Sequence, residues 1–195
     1  QFGTNNLPDC SNMCHESSGR GLTPTIGIGK GTVQLDDFDK ADCIFVIGQN
    51  PGTNHPRMLS TLQAAAARGC AIVAVNPIKE RALERFAHPQ QGLGVIGIGS
   101  KIATHWAQVK INGDVALLKG IMKVVVDEDR ARGGVLDRRF LEDHTVGLEA
   151  FLKALDAVEW DLIVEQSGVA RADIEQLGRL YARSERVIAC WAMGI

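Results

Sequence analysis

Aromatic residues are scarce in this 195-residue chain, at 5% with a single tyrosine. Long hydrophobic runs are missing too. The longest, over residues 43–47 and 71–75, have strand length and fall far short of the ~20 apolar residues of a membrane span. An excess of one charge is also absent: 21 Lys and Arg stand against 23 Asp and Glu, a formal net charge of −2. That balance argues against a broad nucleic-acid-binding face. Cysteine is sparse and odd in number, with five residues at positions 10, 14, 43, 70 and 190, which argues against a disulfide framework. There is no internal repeat, low-complexity tract or long linker. No signal peptide precedes Gln1, and a cytoplasmic location is expected. The chain opens on Gln instead of Met and stops inside a strand-like stretch at 186–195, so it reads as a fragment. What remains is an ordinary globular composition, 45% hydrophobic and 23% charged, with 21 glycines. High glycine with few aromatics suits an α/β protein with many tight strand-to-helix loops.

The apolar pattern alternates between strand and helix. Residues 36–40 form a short helical turn leading into a strand at 42–47. A polar loop covers 48–56, and a helix follows over 56–68, with Pro56 suited to its start and Gly69 to its end. A second strand covers 71–75, then Asn76-Pro77 and a short helix through Phe86. This β-loop-α-β unit predicts a doubly wound, mostly parallel sheet flanked by helices. Residues 87–113 carry little periodicity. A helix is predicted over 114–129, with Asp114 as its cap or in its first turn. Short helices and loops fill 130–168. Leu148, Phe151, Leu152 and Leu155 form one amphipathic stripe, and Ile174, Leu177, Leu180 and Tyr181 another. A third buried strand begins at 187. Cys43, Cys70 and Cys190 lie in or beside the strands and read as small buried hydrophobes.

The loop at 48–56 is the first candidate site. Ligands of open α/β sheets bind beyond the carboxyl ends of strands. Gly48, Asn50, Gly52, Thr53 and Asn54 there combine bare backbone N–H groups with short polar side chains ahead of a helix, a setting suited to phosphate. A plain turn with a helix cap is the alternative. Gly27-Ile28-Gly29-Lys30-Gly31-Thr32 resembles a phosphate-binding P-loop, but Gly31 stands where that motif needs Ser or Thr. The glycines at 92–99 follow no strand. His88, His105 and His144 lack partners at ligand spacing. The second candidate is Cys10-Ser11-Asn12-Met13-Cys14-His15-Glu16. No second ligand pair appears at zinc-site spacing. A thiolate beside an imidazole is the more suggestive chemistry, because the imidazole can lower the thiol pKa or relay a proton.

Cys14-His15, Gly48-Gln49-Asn50-Pro51 with His55-Pro56, the strand ending in Asn76-Pro77, Asn112-Gly113-Asp114 and Trp191-Ala192-Met193-Gly194 occur in one order. In that order they resemble the molybdopterin oxidoreductases, specifically the formate-dehydrogenase-like alpha subunits. The resemblance covers nearly the whole chain. It implies a Rossmann-like cofactor-binding fold and a molybdenum atom held by two molybdopterin guanine dinucleotides plus one protein ligand. Cys14 matches the ligand and His15 the neighbouring proton acceptor; Cys10, followed by Ser11, is the rival ligand. Gln49, Asn50, Thr53 and Asn54 are implied contacts to the phosphates and ribose of one dinucleotide. Asn76 follows the second strand, where relatives often carry Asp-Pro-Arg; Ile78 replaces that Arg, leaving Lys79 or Arg81 to substitute. Asp114 matches a guanine-binding carboxylate, which could accept from guanine N1 and N2 together. Met193 and Gly194 begin a segment facing the second dinucleotide. In domain terms, residues 1–40 are a loop region carrying the metal ligand. Residues 41–185 form the dinucleotide-binding domain, and 186–195 start a strand of a further, truncated domain.

The same resemblance implies two-electron oxidation or reduction of a small, formate-like substrate, and an electron-acceptor protein or subunit as partner. It implies neither nucleic acid nor a membrane span. The 4Fe-4S cluster of most relatives needs four cysteine ligands; that region would precede Gln1. The family's substrate-orienting Arg would lie beyond Ile195, so formate specificity is unsupported by these residues. Two other readings stay open: a structural subunit that lost the cofactor, and a generic nucleotide-binding module using only the 48–56 loop.

Overall fold

The computed structural model describes residues 3, 4, 6, 14–90 and 92–191. The central sheet has four parallel strands: β1 (Cys43–Ile47), β2 (Ala71–Val75), β3 (His105–Ala107) and β4 (Val187–Trp191), in the order β3-β2-β1-β4. Its helices are α1 (Glu16–Ile26), α2 (Pro51–Asn54), α3 (Pro56–Ala67), α4 (Arg81–Glu84), α5 (Asp114–Arg132), α6 (Arg138–His144), α7 (Leu148–Asp156), α8 (Trp160–Ser167) and α9 (Arg171–Arg183). The chain steps outward from β1 through β2 to β3, then returns through α5–α9 to place β4 on the other side of β1. The expected doubly wound α/β fold is therefore present.

The sheet is buried on both faces because strand side chains alternate. Cys43, Phe45 and Ile47 of β1, with Val73 and Val75 of β2, face one core against Leu117 and Ile121 of α5, Ile163 of α8 and Ile174 and Leu177 of α9. Ile44, Val46, Ile72 and Ala74 face the other, against Leu62 and Ala65 of α3 and Leu83 of α4. Helices α5 and α9 approach closely at glycines. A Cβ on Gly178 would overlap Val124, and one on Gly120 would meet the Ile174 Cγ2 at 2.6 Å. Cys43 and Cys70 are buried free thiols and Cys190 is half-buried; burial pushes the Cys43 thiol up to about 12 and Cys190 up to about 11.

Three expectations are corrected. Residues 1–40 are not simply loop, since helix α1 lies within them. The aperiodic stretch at 87–113 holds β3, a strand too short for its own apolar pattern. It is seated beside β2 by Thr104, whose backbone N–H donates to the Ile72 carbonyl at 2.8 Å and whose hydroxyl accepts the Ile72 N–H at 2.9 Å. The strand at 187–191 belongs to this same central sheet. It pairs with β1 from Cys43↔Val187 to Ile47↔Trp191. The Asp42 carboxylate fixes that register by accepting the N–H groups of Glu185 and Arg186, each at 3.1 Å.

Candidate functional site

Strand order reverses between β1 and β4, so the crevice at their carboxyl ends is the switch point where open α/β sheets bind ligands. The loops that follow β1, β2 and β3 all leave at this edge. They carry Gln49 to Asn54, Asn76 and Asp114 respectively. Met193 and Gly194 follow β4 in sequence and lie outside the described residues, as does Cys10.

Gly48 takes a left-handed conformation (φ 64°) and turns the chain off β1. Its N–H donates to the Val75 carbonyl at 2.8 Å. The next residue, Gln49, is held from two sides. Its backbone carbonyl accepts from the Asn76 amide at 3.2 Å, and its side-chain Nε2 donates to the Trp191 carbonyl at 3.0 Å. Because a carbonyl can only accept, this contact fixes which end of the Gln49 amide faces β4. The other end, Oε1, is buried without a hydrogen-bond partner among the described residues. A buried acceptor left alone costs about 1–3 kcal/mol, so this atom suits a ligand group that donates, such as a ribose hydroxyl or an amine, and not a bare phosphate oxygen.

The rest of the loop is more self-contained. Asn50 caps α2: its Oδ1 accepts the Thr53 N–H at 3.2 Å, while its Nδ2 donates to Glu80 at 2.7 Å. The path from β1 to α3 thus contains a helical turn where the sequence suggested only loop. Gly52 is confined by Ala82 of α4, which a Cβ would overlap. Thr53 and Asn54 are exposed.

Asn76 is buried, and its own N–H donates to the Ala107 carbonyl at 3.1 Å, so it ties the ends of β1, β2 and β3 together. Lys79 lies 5.9 Å from the centroid of the Trp106 ring; Ile78 is exposed. Asp114 is half-buried in the first turn of α5, whose N-cap is Gly113 with no side-chain cap. The alternative of Asp114 as the cap itself is therefore set aside. Asn112 is the one described non-glycine residue at positive φ (65°). Beside it Gly113 is wedged against the Gln166 carbonyl and Ser167, where a Cβ would come within 2.8–2.9 Å of backbone. The Asn112-Gly113 turn thereby fixes where Asp114 begins its helix.

Cys14 is a half-buried free thiol, and His15 is exposed at the N-cap of α1 with no side-chain capping bond. Helix α1 buries none of its residues. Its link to the sheet is Ser18, whose hydroxyl accepts from the Trp191 indole N–H at 3.0 Å. Among the described residues, no group of three His, Cys, Asp or Glu side chains could hold a metal by itself.

No family model matches the chain. Across its whole length it is 47% identical over 195 residues to an uncharacterized oxidoreductase of Mycobacterium tuberculosis, of which it covers 25%. It is 26% identical over 194 residues to formate dehydrogenase H of Escherichia coli, again along its whole length and covering 24% of that protein. These relatives fit the expected resemblance to the molybdopterin oxidoreductases. It spans about a quarter of the length of the curated relatives it matches. Acetylene hydratase from Pelobacter acetylenicus shares the fold, with a TM-score of 0.72 at 21% identity over 97% of this chain and 23% of that one.

Of the molybdopterin-oxidoreductase positions inferred from sequence, Gln49 and Asn76 are in direct contact, and Asn50 stands beside them. Asp114 shares their edge two strands away from β1. Ser18 and the indole of Trp191 were missed as contributors. Trp191 stood inside a quoted motif, but its partner lies 173 residues away, beyond any local signal.

Proposed function

We propose that this chain is the central cofactor-binding part of a molybdenum oxidoreductase that carries two molybdopterin guanine dinucleotides and acts on a small, formate-like substrate. The observation that carries the reading is the convergence at the switch point, where a buried Gln49 oxygen without a partner among the described residues stands beside the strand end to which α1, next to Cys14-His15, is tied. That oxygen fits a hydroxyl or amino donor of a dinucleotide.

In this reading residues 41–185 hold the dinucleotides. Gln49, Thr53, Asn54 and Asn76 line one of them, with Asn50 shaping their loop, and the Asp114 carboxylate accepts from its guanine. Met193 and Gly194 begin the contacts to the other. Cys14 supplies a thiolate ligand, which suits a soft metal and stays deprotonated when bound. When bound, the metal–pterin group supplies the two-electron redox chemistry. His15, next in the chain and exposed, takes up the proton released at the substrate. A 4Fe-4S cluster held by residues outside this chain, and an acceptor protein or subunit, would take up the electrons. A cytoplasmic location belongs to the same proposal.

The test uses the full-length protein. Cys14→Ala should abolish turnover, keep the fold, and remove one metal–sulfur bond in X-ray absorption. Loss of that bond in Cys10→Ala instead would move the ligand to Cys10, and absence of molybdenum and tungsten from the wild type would favour a cofactor-free structural subunit. Asp114→Ala should weaken retention of the dinucleotide about ten- to a hundredfold, the loss of one charge-assisted contact of about 1.5–3 kcal/mol. Its metal-free form should unfold at nearly the wild-type temperature.

A further inference from the structure

We propose that Trp191 is a positioning residue that joins the segment bearing Cys14-His15 to the ligand loop after β1. Two of its polar groups point to different partners. The indole N–H donates to Ser18 on α1 at 3.0 Å, and the backbone carbonyl accepts from Gln49 Nε2 at 3.0 Å. Residues separated by 173 and 142 positions are thereby joined through one residue at the end of β4. Trp191 is itself held in register by pairing with Ile47.

Among the described residues helix α1 has at most half-buried positions, such as Leu22, so a directed hydrogen bond matters for its placement. The helix contains Gly19, Gly21 and Pro24, all poor in a helix interior, and fully buries no side chain. Its salt bridge, Arg20 to Glu16 at 3.5 Å, is internal to the helix. Ser18 lies one helical turn beyond Cys14, and the His15 carbonyl already accepts the Gly19 N–H at 3.0 Å. Fixing Ser18 therefore fixes the start of the helix and the pair just ahead of it. The carbonyl arm acts on the other partner: it engages Nε2 of the Gln49 amide and leaves Oε1 as the end without a partner among the described residues. The latch itself rests only on these contacts, while its consequence for the metal rests on the proposed role of Cys14.

The experiment is hydrogen–deuterium exchange on the metal-free full-length protein, read over residues 16–26. Trp191→Phe removes the indole donor but keeps an aromatic ring and the carbonyl to Gln49. Ser18→Ala removes the acceptor. Each should speed exchange in this helix about fivefold to tenfold, the loss of one hydrogen bond. The double variant should add nothing further, and Ser18→Thr should restore slow exchange. Exchange in β1 and β2 should stay unchanged. Unchanged exchange at 16–26 in Ser18→Ala, or equal acceleration throughout the sheet, would overturn the latch. Metal content is read separately. The expected exchange pattern in a full-length protein without molybdenum or tungsten would support the latch and defeat the Cys14 reading. Full metal loading with undisturbed metal–sulfur coordination in both latch variants would overturn the positioning role.

Discussion

Helices α1 and α9 are of similar length, 11 and 13 residues, and meet the sheet in opposite ways. Helix α9 buries Ile174, Leu177, Gly178 and Leu180, and Gly178 lets it close onto Val124 of α5. Helix α1 has no fully buried residue and is joined to the sheet by a polar latch. The contrast separates what holds the body together from what presents chemistry. Close packing rewards every filled volume and makes α9 rigid. In the proposed reading α1 follows directly on a metal ligand and needs only to be aimed, and a hydrogen bond from one strand end can aim it at far lower stability. Regions of low local stability are those that functional segments are drawn from.

The contrast is broken most strongly from the α9 side. Ile174→Ala should cost about 2–5 kcal/mol, because a fully buried side chain is removed from close packing. Gly178→Ala should cost about 1–3 kcal/mol by forcing Val124 away. On α1, the half-buried Leu22→Ala should cost less than about 0.5 kcal/mol. Thermal or urea unfolding of the three variants checks this ranking, and a Leu22 effect equal to that of Ile174 would erase the distinction between the helices.

A subtler effect concerns the turn after α5. The buried Asp129 carboxylate accepts the Val135 and Leu136 N–H groups at 3.0 and 2.9 Å and pairs with Arg138. The Leu136 N–H is the main cause that holds its pKa below the ordinary 3.8. A depressed folded-state pKa means stability that is fully present above the unfolded value and lost as pH falls through the folded one. The melting temperature of the wild type should therefore exceed that of Asp129→Asn by a constant margin above pH 3.8, with the margin shrinking at lower pH. A margin independent of pH would show that the ionised carboxylate has no such role.

The smallest perturbation is chemical labelling. In the metal-free protein, iodoacetamide should modify Cys14 well before Cys43 or Cys70, since burial keeps the latter two protonated and inaccessible. Peptide mapping reads the order. Metal loading should protect Cys14 if it is the ligand, which sharpens the comparison by showing when the latched segment becomes held.

Much of the body was legible in the sequence. The five-residue runs of β1 and β2 have no alternative at strand length, and the stripes Leu148–Leu155 and Ile174–Leu180 have helical spacing. Gln49-Asn50 and Asn76-Pro77 each follow a strand read from the sequence, and parallel strands return both loops to one carboxyl edge. Tertiary structure decided what local pattern could not. Strand β3 is three residues long and exists because β2 offers it an edge. The strand at 187–191 joins β1 because Asp42 fixes its entry. Helix α1 forms despite two glycines and a proline. Above all, the meeting of Ser18, Trp191 and Gln49 depends on strand order, which places the last described strand beside β1 and, through Trp191, brings the first described helix to its end; sequence separation carries no record of that neighbourhood.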